Sequence, residues 1–305
     1  MAETLEQLSR QHDTLASIRG IVHTMKTLSA INATPYEHAA SAIEAYHGTI
    51  LQGFAAFAHR TGELSRRSVY PAEHWVVVFG SDHGLCGNYN EVLASLVSKH
   101  CQATEAGSPR LLCVGMQMND ALVDQGLTPE QVLLPPASAD GIGRLAGNLV
   151  TRLDAADHGR PLLRIRVTLA YTQRGDKGVR EPVTLGLLPL DETLLRRESR
   201  WPSRSLPDYT MAPESLLASL IRSHLFASLS RASAEAMVTE NAARLALMQQ
   251  AERSVDDRLE QVKGELRSVR QADITNELLD VITGFEALKK ERKPAPEAPR
   301  RVSRQ

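Results

Sequence analysis

The amino-terminal segment carries hydrophobic residues at helical spacing. Residues 3 to about 57 are predicted to form a helix, because apolar side chains recur every three or four positions along its first half. These side chains are Leu15, Ile18, Val22, Met25, Leu28 and Ile31. Pro35 has no backbone N–H, so we expect it to kink or interrupt the helix and to push Thr34 towards an extended conformation. Residues 1–60 are therefore interpreted as one long helix with a defect near its middle.

The carboxy-terminal segment predicts a still longer helix. Pro213 is acceptable in a first helical turn, and from there to position 288 the chain has no further proline and only two glycines. As one helix these 76 residues would measure about 114 Å. A compact chain of 305 residues has a radius of gyration of only about 19 Å. Residues 209–288 are therefore expected to project as a shaft, and a projecting helix needs a partner for its apolar face.

The spacing of apolar residues within this segment indicates what the partner is. Steps of four and three alternate and then resume after one step of five, along Val255, Leu259, Val262, Leu266, Val269, Ile274, Leu278, Val281, Phe285 and Leu288. A mean period of 3.5 residues is typical of a coiled-coil seam. An antiparallel coiled coil of the two chain ends would bury both stripes. An ordinary helical bundle folded back on itself is the alternative.

The middle of the chain, residues 72–205, alternates strand patterns with helix patterns. Apolar and β-branched runs bounded by glycine and proline predict strands, at 74–79, 110–114, 162–171 and, more weakly, 182–188. Helical stretches are expected near 88–104, 116–125 and 140–155. This alternation favours a mostly parallel sheet covered by helices. The expected fold class is thus a Rossmann-like α/β domain inserted between two long helices.

Charge and composition narrow the classes of function. The net charge is −1, which gives the whole molecule no signature of nucleic-acid or membrane binding. Residues 289–305 carry seven basic and two acidic side chains, and we expect this basic tail to be disordered and solvated. Cys86, Cys101 and Cys113 form no CxxC pair, which argues against disulfides and a zinc site. No apolar stretch approaches 18 residues, so a soluble, unexported protein is expected.

A glycine-rich turn after the first predicted strand carries candidate catalytic side chains. Ser81, Asp82, His83 and Cys86 supply nucleophile and base types within six positions. Side chains adjacent in sequence seldom meet in triad geometry, which is defined by spatial roles. A hydrolase that uses Ser81 or Cys86 is therefore the minor alternative. The preferred interpretation of Cys86 is a small buried residue.

The glycines of the same turn also suggest a phosphate cradle. Neither GxGxxG nor GxxxxGK followed by Ser or Thr is present, however. The preferred role is backbone geometry that lets the turn pack closely beneath the long helices, and it is assigned to Ser81, Asp82, Gly84, Leu85, Cys86 and Gly87. A coiled-coil scaffold with a nucleotide-binding α/β domain is the alternative function.

Four sequence blocks, in order along the chain, resemble signatures of the gamma subunits of F-type rotary ATP synthases. They occupy residues 21–30, 81–90, 239–248 and 270–278 and read IVHTMKTLSA, SDHGLCGNYN, TENAARLALM and RQADITNEL. The family patterns are Ile-Thr-Lys-Ala-Met-Lys-Met-Val-Ala-Ala, Ser-Asp-Arg/Lys-Gly-Leu-Cys-Gly, Ser-Glu-x-x-Ala-Arg-Met-x-Ala-Met and Arg-Gln-Ala-x-Ile-Thr-x-Glu. The resemblance covers essentially the whole chain except the tail.

The resemblance implies a central rotor stalk without an active site, cofactor or metal of its own. The stalk would couple ion flow through a membrane ring of c subunits to ATP synthesis or hydrolysis in a head of alpha and beta subunits. The α/β domain would grip the c ring and the epsilon subunit, with no nucleic acid and no small-molecule substrate. Such a subunit lies peripherally at the cytoplasmic face of the bacterial inner membrane.

By matching positions, the resemblance also implies coupling contacts to the catalytic ring. They are Met25, Lys26, Arg270, Gln271, Thr275 and Glu277. A solvated helix face is the alternative, since a single exposed ion pair contributes only about 0 to 1 kcal/mol. Weak polar contacts are nevertheless what a turning bearing requires, because one deep energy well would stall rotation.

A few positions depart from the family patterns. Val22 and His23 replace Thr-Lys, and Leu266 and Arg267 stand where Tyr-Asn is usual. The basic tail also extends past the usual end. These differences suggest a divergent branch, like the alternate, sodium-pumping ATPases of some bacteria.

Overall fold

Along the chain, one long helix comes first and another comes last, and the strands of a five-stranded sheet lie between them in sequence. The computed structural model describes residues 2–61, 73–104, 108–156, 165–175, 179–195, 204–205 and 208–291. The helices are α1 (Ala2–Thr61), α2 (Tyr89–Gln102), α3 (Met116–Asp124), α4 (Ile142–Ala156) and α5 (Pro213–Glu291). The strands are β1 (Glu73–Phe79), β2 (Arg110–Val114), β3 (Gln131–Leu133), β4 (Ile165–Arg174) and β5 (Arg180–Leu188). Residues 292–305, which hold most of the predicted tail, lie outside the described part.

The chain divides into two compact units. The central unit is Thr24–Gln249, and the terminal unit combines Met1–His23 with Gln250–Gln305. Both α1 and α5 therefore contribute to each unit.

The sheet lies in the central unit and is mixed, with the strand order β3-β2-β1-β4-β5. The pairs β1/β2, β1/β4 and β2/β3 are parallel, and β5 runs antiparallel to β4. The predicted helical ends and mostly parallel central sheet are thus confirmed. The pattern missed β3, because three residues are too few to show an alternation.

Two apolar layers cover the sheet. On one face, α1, α4 and α5 pack on alternate strand residues through side chains such as Phe54, Leu149 and Leu225. On the other face, α2 and α3 pack through Leu93 and Leu122. All five of these side chains are fully buried, so burial of apolar area supplies the main stabilisation of the unit.

Helix α1 continues through Pro35, and Thr34 is helical. The expected interruption and the extended conformation of Thr34 are therefore wrong. Tyr36 is 4% exposed and donates a hydrogen bond to the Pro136 carbonyl oxygen at 2.9 Å, and Ala40 is buried one turn later. This packing outweighs the cost of proline in a helix, which is about 3 kcal/mol.

In the terminal unit, α1 and α5 run antiparallel. Arg19 Nε lies 2.5 Å from Asp256 Oδ1, and His23 Nδ1 lies 2.9 Å from Glu252 Oε1. The partner number falls as the α1 number rises, which defines the antiparallel direction. If this register continues, the start of α1 lies opposite Asp273, and α5 extends beyond it.

The predicted apolar seam of α5 is buried over only part of its length. Leu259 and Val262 are buried, and Val255, Leu266 and Val269 are partly buried. Four of the later seam positions are exposed, namely Ile274, Leu278, Val281 and Phe285, and the side chain of Leu288 lies outside the described part. The expected burial of these four is wrong, because the register of the two ion pairs places no described α1 residue opposite them.

The predicted stripe of α1 is only partly correct. Val22 is buried, and Leu15 and Met25 are partly buried, whereas the exposed members are Ile18, Leu28 and Ile31. Buried positions instead recur every seven residues, at Val22, Ser29 and Tyr36. A small polar side chain at position 29 hid this period from the hydrophobic pattern.

Candidate functional site

The glycine-rich turn at residues 80–87 follows β1 at the carboxyl end of the parallel strands. Ser81 is fully buried, and its backbone N–H donates to Asn90 Oδ1 at 3.0 Å. Asn90 Nδ2 donates in return to Ser81 Oγ at 2.7 Å. Asp82 Oδ1 accepts a hydrogen bond from the Met116 amide at 3.1 Å, which ties the turn to the first residue of α3.

The polar side chains of the turn do not assemble into a triad. Ser81 Oγ contacts Asn90 and lies 3.5 Å from Cys86 Sγ, and no hydrogen bond to His83 is found in the described part of the chain. His83 Nδ1 is 3.9 Å from Asp82 Oδ2, and its side chain is 82% exposed. This arrangement gives the serine no base and argues against the hydrolase alternative.

Cys86 has the environment of a packing residue. It is 6% exposed, and burial raises the pKa of its thiol above the ordinary value. A reactive cysteine needs the opposite shift, because the thiolate is the nucleophile. The geometry therefore supports the structural role expected for Cys86.

The backbone of the turn is unusual at two places. Leu85 has a φ of +64°, a left-handed conformation that is uncommon for a residue with a side chain, and its side chain is 53% exposed. Gly115 has a φ of +107°, and a Cβ there would overlap the Ser81 carbonyl group. Glycine at 115 is thus required for the close approach of the β1 and β2 loops.

Helix α5 fills the crevice at the carboxyl end of the sheet. The chain order changes direction between β1 and β4, which is where open α/β sheets bind ligands. Here Tyr89 Oη lies 3.0 Å from both the Ala236 carbonyl oxygen and Thr239 Oγ1. Thr239 Oγ1 in turn lies 3.0 Å from the Thr172 carbonyl oxygen.

The space left beside this contact is small. A cavity of about 140 Å³ remains, lined by Cys86, Asn88, Tyr89, Val92, Thr172, Arg180 and Pro182. Ligand pockets usually occupy about 300 to 1,000 Å³. Occupation of the crevice by α5 therefore argues against the nucleotide-binding alternative at this position.

A buried ion pair lies within α5, and its arginine also bonds to the turn. Arg244 Nη2 lies 2.6 Å from Glu240 Oε1 and donates to the His83 carbonyl oxygen at 3.2 Å, while Arg244 Nε donates to the Gly84 carbonyl oxygen at 3.4 Å. Glu240 is 4% exposed, so burial raises the pKa of its carboxyl, and Arg244 opposes that rise. The sequence interpretation assigned these two residues no role, although Glu and Arg four positions apart on a helix are a recognisable pairing signal.

The predicted coupling residues lie in two different units. Met25 and Lys26 are partly buried on α1 in the central unit. The four others, Arg270, Gln271, Thr275 and Glu277, are exposed on α5 in the terminal unit. Their exposure is compatible with partner contacts, and their role stays a prediction.

The end of α5 presents an exposed apolar surface, the C-terminal patch. It consists of Ile274, Leu278, Leu279, Val281, Ile282 and Phe285, which are 53–73% exposed. Contiguous apolar surface of this kind marks interaction sites. The sequence pattern identified four of these residues but assigned them to the seam between the chain ends.

The described residues offer neither a metal site nor a membrane-spanning helix. They hold no group of three or more His, Cys, Asp or Glu side chains placed to bind a metal ion. They also include no helix that combines the length and the apolar character needed to cross a bilayer.

Comparison with known proteins identifies the family. A family model described as ATP synthase matches residues 4–288. The ATP synthase gamma chain of Nitratidesulfovibrio vulgaris Hildenborough is 30% identical over 218 residues, which cover 70% of this chain and 73% of that protein. The gamma chain of Gluconobacter oxydans is 27% identical over 307 residues, covering 93% and 99%.

Solved structures share the fold. A chain of the Euglena gracilis mitochondrial ATP synthase, from an OSCP/F1/c-ring structure, has a TM-score of 0.61 at 14% identity, covering 98% of this chain and 99% of that one. A chain of the Tetrahymena thermophila central stalk and c ring has a TM-score of 0.53 at 18% identity, covering 76% and 99%. From the family match and the relatives, the chain belongs to the ATP synthase gamma-chain family.

Proposed function

We propose that this chain is the central rotor stalk of a rotary ATP synthase. It couples ion translocation through a membrane ring to ATP synthesis or hydrolysis in the catalytic head. Membership of the gamma-chain family carries the proposal. The C-terminal patch adds support, because an exposed apolar surface on a single helix is typical of a site that binds an apolar surface of another protein.

In this proposal the terminal unit is one end of an antiparallel coiled coil and the central sheet is a Rossmann-like domain. The antiparallel ion pairs at Arg19 and His23 support the first assignment. The strand order, with its change of direction between β1 and β4, supports the second. The proposed segments are a first shaft helix at 1–60, the α/β domain at 72–205, the second shaft helix at 209–288 and a tail at 289–305.

The mechanism follows from the asymmetry of a helix pair. A two-helix shaft has no threefold symmetry, so three equivalent catalytic sites around it would each meet a different surface. Unequal contacts shift the equilibrium of each site between open and closed nucleotide states. Turning the shaft by one third passes each site to its next state, and the shaft itself catalyses nothing.

The proposed function also assigns the subunits that this chain contacts. The exposed residues Arg270, Gln271, Thr275 and Glu277 contact the alpha and beta subunits, with Met25 and Lys26 as further contacts. The α/β domain holds the c ring and the epsilon subunit. The chain requires no cofactor, and it resides peripherally at the cytoplasmic face of the bacterial inner membrane.

A truncation tests the proposal. The head is reconstituted with the membrane ring and with a chain that ends after Arg270, which removes the C-terminal patch. We expect the complex to assemble but to lose ATP-driven ion pumping. A chain that ends after Glu291 is the matched control and should pump normally. Pumping by the shorter chain at the control rate would refute the coupling role of the α5 end.

A further inference from the structure

A directed pair of hydrogen bonds links α2, α5 and β4. A hydroxyl group has only one proton to donate. Tyr89 Oη also lies 3.0 Å from the Ala236 carbonyl oxygen, and Thr239 Oγ1 lies 2.8 Å from the Glu235 and 3.1 Å from the Ala236 carbonyl oxygens, so each hydroxyl proton has more than one acceptor. The bonds from Tyr89 to Thr239 and from Thr239 to the Thr172 carbonyl form together when Tyr89 donates to Thr239 and Thr239 donates to Thr172. The two side chains thus connect three elements of the central unit in one chain of bonds.

The three residues are shielded from water. Tyr89 is 7% exposed, Thr172 is 4% exposed and Thr239 is fully buried. Burial raises the pKa of Tyr89 far above its ordinary value, so its hydroxyl keeps its proton. A buried hydroxyl that loses its partner cannot replace it with water, which makes these bonds sensitive to position.

Apart from the ion pair of Arg174 with Glu235 and the bonds of Arg244 to the turn carbonyls, the rest of the contact between α5 and the sheet is apolar and tolerant of sliding. It is made by side chains such as Leu225, Leu229, Ala232 and Ala236. Apolar attraction has no direction, and alanines one helical turn apart present the same surface. Apolar packing alone therefore defines the register of α5 poorly.

Thr239 distinguishes one register from its neighbours. A shift of α5 by one turn, about 5.4 Å, would bring Glu235 or Ala243 to the position of Thr239. A carboxylate cannot donate to the Thr172 carbonyl, and alanine has no hydroxyl. Only the observed register satisfies both bonds.

We propose that Tyr89 and Thr239 are positioning residues that fix the register of α5 on the sheet, so that turning force passes between the α/β domain and α5 without slip. This inference rests on the proposed rotor function. It assigns the role to hydroxyl groups, which can be removed with little change in side-chain shape.

The test compares Thr239→Val, Tyr89→Phe and the hydroxyl-retaining Thr239→Ser in the reconstituted complex. In Thr239→Val and Tyr89→Phe, hydrogen exchange of amides 236–244 should accelerate about fivefold, the effect of losing one net hydrogen bond. ATP hydrolysis without an ion gradient should be unchanged. The maximal gradient should fall, because slip grows with load. Thr239→Ser should restore both readouts.

A control substitution on α2, the helix that carries Tyr89, distinguishes an effect on the register of α5 from a general loss of stability. Leu93→Val on α2 makes a small cavity in the opposite apolar layer and leaves both hydrogen bonds intact. It should lower the unfolding midpoint without lowering the maximal gradient. A similar loss of gradient in Leu93→Val and Thr239→Val would overturn the inference.

The inference and the rotor function fail in different ways. If the wild-type complex pumps and Thr239→Val reaches the same gradient, the positioning role is wrong and the rotor function stands. If the wild-type chain assembles and supports no pumping, the rotor function is wrong and the inference falls with it.

Discussion

The two compact units are built from the same two helices but hold them together by different means. In the central unit, α1 and α5 pack on a sheet through fully buried side chains such as Phe54, Ile221 and Leu225. Among the described side chains of the terminal unit, only Val22, Leu259 and Val262 are buried.

The central unit is stabilised by contacts within the chain, whereas we expect the terminal unit to be stabilised in part by other subunits. Most helix stability comes from burying an apolar face, and the central unit provides that face within the chain. The terminal unit covers its helices only in part, and the C-terminal patch is uncovered. We expect the central unit to set the unfolding free energy and the terminal unit to be completed by assembly.

The largest expected effect comes from the central core. Phe54→Ala removes a fully buried ring between α1, α5 and the sheet and should lower the unfolding free energy by about 4 kcal/mol. Urea denaturation followed by circular dichroism measures the change. A loss below about 1 kcal/mol would show that the core does not dominate stability.

The next effect concerns the buried ion pair. Arg244→Met should cost about 3 kcal/mol, because Glu240 is then left as a buried carboxylate without its cation. Urea denaturation followed by circular dichroism measures this change as well. The double variant Glu240→Leu with Arg244→Met removes both charges and should recover most of the loss, and failure to recover it would point to the carbonyl contacts of Arg244 instead.

A smaller effect depends on pH. His224 is buried, stacks on His47 with ring centroids 5.3 Å apart, and has no hydrogen-bond partner at Nδ1 among the described residues. Burial, and then the neighbouring His47, lower its pKa to about 4. Burial, and then Arg231, lower the pKa of His47, and Glu44 opposes them.

The lowered pKa of His224 determines how its contribution to stability changes with pH. Because the folded state keeps His224 neutral, its contribution is present above pH 6.5 and is lost as the pH falls towards 4. Between pH 8 and pH 5 the loss should be about 2 kcal/mol. Urea denaturation of His224→Gln should be less pH-dependent by that amount.

The smallest effect is expected at the C-terminal patch. Phe285 is 73% exposed, so Phe285→Ala should change the unfolding free energy of the isolated chain by less than about 0.5 kcal/mol. It is the matched counterpart of Phe54→Ala. The same substitution should weaken binding to the catalytic head, measured by titration. Equal affinity of the wild-type and Phe285→Ala chains for the head would show that Phe285 does not contribute to this binding.

The strands were predictable where the sequence is locally unambiguous. The run at 110–114 coincides with β2, and the run at 74–79 is one residue shorter than β1. Pro35 misled the prediction because packing around Tyr36, which is remote in sequence from its partner Pro136, overrides a local preference. Ile18, Leu28 and Ile31 misled it because apolar character does not say which helical face a partner covers.

The candidate site was predictable in its location but not in its connections. The glycine-rich turn was found from its composition, and its packing role is supported by the burial of Ser81 and Cys86. The bonds from Tyr89 to Thr239 span 150 positions, and no local pattern announces them. The assignment to a divergent, sodium-type branch stays a prediction, because the two relatives compared above are named only as ATP synthase gamma chains, at 30% and 27% identity.

The extension of α5 past the start of α1 bears on the fate of the chain before assembly. If the register of the two ion pairs continues, about 27 Å of helix beyond Asp273, up to Glu291, has no described α1 residue opposite it. A lone helix of that length is marginal in water, so its backbone is expected to open often and to be readily cleaved by proteases. Orphan copies would then be degraded from this end, while copies seated in a complex would be spared, which links the abundance of the subunit to that of its partners.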